Sequence, residues 1–173
     1  MSSPVARLRA AVRESGTPLE SSLAADEPGV KTHADRDHAL VAAAGPRVAA
    51  QREDVELAVA AVDEGYRLHY GCPRALRIED PDLALLAGDR MYALGLARLA
   101  AIGDMTAIAE LADVISLSAQ AHAAGDEELA EAAWQAGVSA IAHGANPLVA
   151  EAKQRARAGD RGAAEALRAA ARS

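Results

Sequence analysis

Residues 81–102 read PDLALLAGDRMYALGLARLAAI. Pro81 suits the first turn of a helix, where its missing N–H would be unpaired in any case, and Asp80 before it suits the N-cap. Leu83, Leu85, Leu86, Met91, Tyr92, Leu94, Leu96, Leu99 and Ile102 fall on every side of such a helix, and only Asp82, Asp89, Arg90 and Arg98 interrupt them. A helix that is apolar all round is a buried central helix or one shared between subunits. Four charges make this one too polar to cross a membrane. Within it, Gly88 permits close helix approach. Asp89 then stands as a polar group in a packed region and needs a partner, with a neighbouring or cross-helix arginine expected.

The rest of the chain repeats the helical theme. The 173 residues include 46 alanines, three tyrosines, one tryptophan and no phenylalanine. Such a composition favours close-packed helices over sheets. Upstream, Val55, Val59, Val62 and Tyr66 lie at spacings of four, three and four, a stripe on a helix predicted from about Val48 to Tyr70. Downstream, Gly103-Asp104 and Gly125-Asp126 each read as a glycine ending one helix and an aspartate capping the next. Short helices are predicted from Pro4 to near Gly16 and from Asp35 to Ala44, with a linker over residues 16–33. The fold class is all-α, an antiparallel bundle of about five to seven helices. Residues 47–144 form its core, 1–46 short helices and linker, and 145–173 a basic, partly ordered helical tail.

Charge is uneven. Eleven acidic residues against Arg90 and Arg98 give −9 from Glu79 to Glu131, while residues 147–173 carry +3. An acidic body argues against nucleic acid, since phosphate binding needs clustered lysine and arginine. The basic tail reads first as a solvated face, second as a contact for an acidic partner or an anionic membrane. Cys72 alone excludes an internal disulfide, and Arg7, Arg9 and Arg13 break any signal-like apolar run. A cytoplasmic protein without a transmembrane segment is expected.

The stretch Leu83–Ala97, an apolar run, Gly88-Asp89 and a second apolar run, resembles the central helix of trans-polyprenyl diphosphate synthases. Tyr70-Gly71 sits where that family closes a loop with an aromatic-glycine pair, and Gly103-Asp104 where it turns into the next helix. The likeness covers roughly residues 55–143. It implies the isoprenoid synthase bundle and, for an active member, two Asp-rich motifs holding Mg²⁺ against an allylic diphosphate. The leading aspartates of the first motif would fall on Ala60 and Ala61, leaving Asp63 and Glu64, which point in different directions from a helix. Neither a second Asp-rich motif nor a Gly-Lys-x-x-Arg-Pro segment occurs. Catalysis by the family route is not expected, and Mg²⁺ would matter only if a prenyltransferase activity existed.

Other constellations are modest. His33, Asp35, Asp37 and His38 are the densest set of possible metal ligands, with His33 and Asp37 one helical turn apart. A polar helix start capped by Asp35 is the favoured account. Glu79, Asp80 and Asp82 read as N-terminal helix charges, as do Asp126, Glu127 and Glu128. His69, His122 and His143 look scattered, and nothing beside Cys72 activates it. No catalytic residue is assigned; Asp63, Glu64, Asp89 and Tyr92 are the ligand-binding candidates. Three uses follow. One is a non-catalytic isoprenoid-synthase-like protein that binds an isoprenoid, another apolar chain or lipid, or acts as a subunit in a homo-oligomer or beside a helical partner. The second is an unrelated helical scaffold module. The third is a partial synthase completed by a partner chain.

Overall fold

The computed structural model describes residues 3–25, 37–144 and 146–173. Among these residues the secondary structure is eight α-helices, α1 Pro4–Glu14, α2 His38–Ala43, α3 Arg52–Tyr70, α4 Pro81–Ala101, α5 Met105–Ala124, α6 Glu127–His143, α7 Pro147–Arg157 and α8 Ala163–Ala170, with one isolated β-bridge between Leu23 and Leu76. Short 3-10 turns at Pro18–Ser22 and Pro46–Gln51 precede α2 and α3 in turn. The all-α expectation holds, and the eight helices among the described residues exceed the expected five to seven by one because the tail contributes two.

Local sequence explains the boundaries. Asp80 accepts from the amides of Asp82 and Leu83 and starts α4. Asp104 accepts from Ala107 and Asp126 from Leu129, so both Gly-Asp pairs act as stop and start signals. Gly103 and Gly125 have φ of 74° and 70°, the left-handed backbone that ends a helix most cheaply with glycine. α2 begins at His38 with Asp37 as its cap. The expected start at Asp35 lies outside the described residues.

α3 through α6 run up and down, so the C-termini of α3 and α5 share one end of the bundle with the N-termini of α4 and α6. The central core joins Val55, Val59 and Val62 to Leu111, Val114, Trp134, Val138 and Ile141. A second core under α1 gathers Leu8, Val12, Leu76 and Met91. A third lies between α5, α6, α7 and α8 around Leu117, Leu129, Val149 and Leu167.

α4 differs from the expectation of a helix buried on all sides. Only Ala87, Gly88, Met91, Gly95 and Leu99 are buried. That narrow face is small enough for two backbones to meet. A Cβ at Gly95 would lie 2.6 Å from the Ala58 carbonyl oxygen, and one at Gly65 would lie 2.8 Å from that of Gly88. Close docking on α3 leaves the other side of α4 open, because α5 packs chiefly on α6. Leu83 is 47%, Leu85 44% and Leu86 65% exposed.

The tail packs more closely than its composition suggests. Its sequence offers few large apolar residues, yet α7 and α8 pack on α6 through Val149, Ala152, Ala156, Ala163 and Leu167, where alanine allows close approach. Its charge is spent inside the molecule. Lys153 Nζ meets Glu110 at 2.5 Å and Asp113 at 3.0 Å, Arg157 pairs with Asp113, and Arg168 reaches Glu128 at 3.3 Å.

Candidate functional site

The C-terminal half of α3 gathers the polar chemistry of the bundle. Asp63 and Glu64 are each 1% exposed and diverge from the helix, as adjacent positions must. Asp63 Oδ1 accepts from His38 Nδ1 at 3.0 Å, which places the proton on Nδ1 because an ionised carboxylate only accepts. Asp63 Oδ2 accepts from Arg67 Nε at 2.9 Å and from the Arg74 guanidinium. Burial works to raise the Asp63 carboxyl, but the His38 hydrogen bond and the charges of His38, Arg67 and Arg74 outweigh it and hold it at about 2.

Glu64 faces the loop after α3. Its Oε1 accepts from the backbone amides of Arg74, Ala75 and Leu76 at 3.0, 2.8 and 2.9 Å, and Oε2 from Arg74 at 2.9 Å. Burial pushes this carboxyl above its ordinary range, and the three amides offset that only in part. The anchored loop pairs in turn with the N-terminal region. Ala24 N donates to Ala75 O, and Arg77 N to Ser22 O.

These contacts decide what the two acids do. Every oxygen of Asp63 and Glu64 already accepts from the protein. Ala60 and Ala61 are 3% and 0% exposed and sit in packed cores. Among the described residues, no group of three or more His, Cys, Asp or Glu side chains is placed to hold a metal ion. Asp37 caps α2 and His38 turns inward to Asp63, while His33 and Asp35 lie outside the described residues.

Asp89 requires a correction. Its side chain is 70% exposed and hydrogen-bonds His69 Nε2 at 3.2 Å, with no arginine paired to it among the described residues. Gly88 explains the choice, since a Cβ there would lie 2.7 Å from the His69 ring. His69 also stacks on Tyr92, with ring centroids 5.3 Å apart and planes 7° apart. Burial pushes the Tyr92 phenol well above its ordinary value.

From there a continuous aromatic array crosses the bundle. Tyr70 stacks on His122 at 4.1 Å, and Tyr66 hydrogen-bonds His122 Nε2 at 2.9 Å. Tyr66 meets Trp134 edge-on, and Trp134 stacks on His38 at 4.4 Å. All four aromatic residues of the chain and three of its five histidines therefore form one assembly. His69 and His122, which look scattered in sequence, belong together. The available signal was Tyr66, His69 and Tyr70 at i, i+3 and i+4 on α3.

The assembly has an inner and an outer part. His38, Asp63, Glu64 and Trp134 fix α2 and the 71–80 loop to α3. Tyr70, which is 42% exposed, Asp89 and the leucines of α4 face outward. Two surface cavities, of about 240 and 550 Å³, lie elsewhere, against α7 and α8. None of Asp63, Glu64, Asp89 or Tyr92 lines either. Comparison with known proteins returned no matching family, no matching curated protein and no matching solved structure.

The buried carboxylate gives a pH prediction. The folded value of Asp63, about 2, lies below the ordinary 3.8. Its contribution, roughly 2 kcal/mol, is therefore present above pH 4 and lost as the pH falls from about 4 toward 2. Urea unfolding of Asp63→Asn should show a smaller loss of stability across that interval than the parent chain shows. Equal slopes would contradict the assignment.

Proposed function

We propose that this chain is a non-catalytic helical subunit, of isoprenoid-synthase ancestry, that works by binding another helical protein through the outer face of α4. The observation that carries the proposal is the exposure of Leu83, Leu85 and Leu86 on a helix already docked by its opposite face. Leaving leucines about half exposed forgoes roughly 1 kcal/mol each, which a partner can recover by covering them. The close α3–α4 approach at Gly65, Gly88 and Gly95 supports the ancestry, since it gives the Gly-Asp segment a packing role. The consumption of Asp63 and Glu64 by protein donors speaks against a synthase completed by a partner. An isoprenoid held inside the bundle draws no support from the two cavities described.

The test is association. Tagged chain should co-purify a defined partner from its source cells, or form a defined oligomer by light scattering. Leu86→Asn, at a position 65% exposed, should reduce that association at least about tenfold with little change in melting temperature. A monomer that retains no partner, or a Leu86→Asn chain that associates like the parent, would remove the proposal.

A further inference from the structure

The surface around Leu83, Leu85 and Leu86 is mainly acidic, with Arg90 as its one cation on α4 before Ala97. Asp82 and Asp89 project from the same helix, with Glu79 just before it and Glu127 and Glu131 at the same end of the bundle. All five are exposed, and only Asp89 has an ion-pair contact among the described residues, to His69. Beside these acids stands Tyr70, with one ring face on His122. The Tyr70 ring and the Asp89 carboxylate both contact His69, at 5.6 Å between rings and 3.2 Å between atoms, so they flank it. An exposed aromatic ring and a carboxylate that share one histidine neighbour can both attract an organic cation, and exposed leucines on the helix of that carboxylate take the apolar stem that carries it.

Resting on the reading of α4 as a docking face, we propose that its N-terminal half receives a basic amphipathic helix from a different protein. Apolar residues of that helix cover Leu83, Leu85 and Leu86, while its lysine or arginine side chains meet Asp82, Asp89 and the ring of Tyr70. Charge separates this occupant from the alternatives. A second copy of the chain would set the exposed Glu79, Asp82 and Asp89 of one α4 face against those of the other. The basic residues it has to offer in α7 and α8 include Lys153, Arg155, Arg157 and Arg168, each already paired with one of its own carboxylates. An anionic lipid surface meets the same repulsion.

The experiment uses the full chain, isotopically labelled, and two synthetic amphipathic peptides. One is built of leucine and lysine at helical spacing, the other of leucine and glutamate in the same pattern. Calorimetry gives affinities and amide chemical shifts locate the site. The lysine peptide should bind at least about tenfold tighter, with shifts centred on Tyr70 and residues 82–90. Asp89→Asn should weaken it about threefold or more without strengthening the glutamate peptide, and Leu86→Asn should weaken both. Melting curves establish that each variant is folded. Equal affinity for the two peptides at α4 would overturn the basic-partner inference and leave α4 as a docking face. Shifts spread over the acidic surface away from α4, or self-association of the parent chain through these leucines, would overturn it as well. If neither peptide reaches α4 and Leu86→Asn also keeps its native association, the docking face itself fails.

Discussion

Glu64→Ala should lower the stability of the fold by about 3–5 kcal/mol, measured as the free energy of urea unfolding. The carboxylate is the acceptor for three consecutive backbone amides, those of Arg74, Ala75 and Leu76, and the last two residues are fully buried. An amide left in the interior without a partner costs about 1–3 kcal/mol, and rehydration of the partly exposed Arg74 keeps the total toward the low end of that sum. Glu64→Gln gives a sharper reading. Its remaining carbonyl oxygen can still take the amides that Oε1 receives, so the loss should be only about 1–2 kcal/mol. A residue kept for metal or diphosphate chemistry behaves in the opposite way, tolerating glutamine in the fold and losing function. Equal, small effects of both variants would show that the 71–80 loop does not depend on Glu64.

Gly95→Val is the second large effect, with an expected loss of about 3 kcal/mol or more by the same measurement. The first atom added would lie 2.6 Å from the Ala58 carbonyl oxygen and 2.7 Å from a Val62 methyl. The oxygen belongs to the α3 backbone and cannot turn aside as a side chain would. α4 would have to lift away and expose Met91 and Leu99, which are 1% and 0% exposed in the native packing. A valine tolerated without loss would mean that α3 and α4 are not locked at this face. The outward direction of Leu83, Leu85 and Leu86 would then be unfixed too.

Much of the fold was legible because its signals are local. Asp80, Asp104 and Asp126 cap helices through amides two or three residues away, and Gly103 and Gly125 act on their own backbone. The Val55–Val59–Val62–Tyr66 stripe requires only a helix and one apolar neighbour. The failures have a common cause. An apolar residue in sequence states that burial would be favourable, not that a neighbour is there to provide it. Residues 81–102 therefore read as a central helix, although glycine and alanine bring chiefly α3 against them and leave one side uncovered. Asp89 was misread for the same reason, since it lies on the uncovered side. In the tail the error reversed. Alanine counts little in an apolar tally, yet Ala152, Ala156 and Ala163 let α7 and α8 pack tightly.

The candidate site was half legible. Adjacent helical positions made the divergence of Asp63 and Glu64 readable. Their partners were not readable. His38 precedes Asp63 by 25 residues and the Leu76 amide follows Glu64 by 12. His122 lies 56 residues from Tyr66, so the aromatic array exists only after α3 and α5 have come together.

Leu83, Leu85 and Leu86 face outward in the free chain, and the proposed docking requires them to be covered in the complex. The leucine methyl signals of Leu83, Leu85 and Leu86, recorded with a soluble paramagnetic agent, read that state residue by residue. In the isolated chain all three should relax strongly, while Leu99 and Leu111, each 0% exposed, should not. In the complex with the native partner the three should become protected and the buried pair should stay unchanged. Protection of Leu83, Leu85 and Leu86 already in the isolated monomer, or unaltered exposure once the partner is bound, would contradict the assignment of α4 as the docking face.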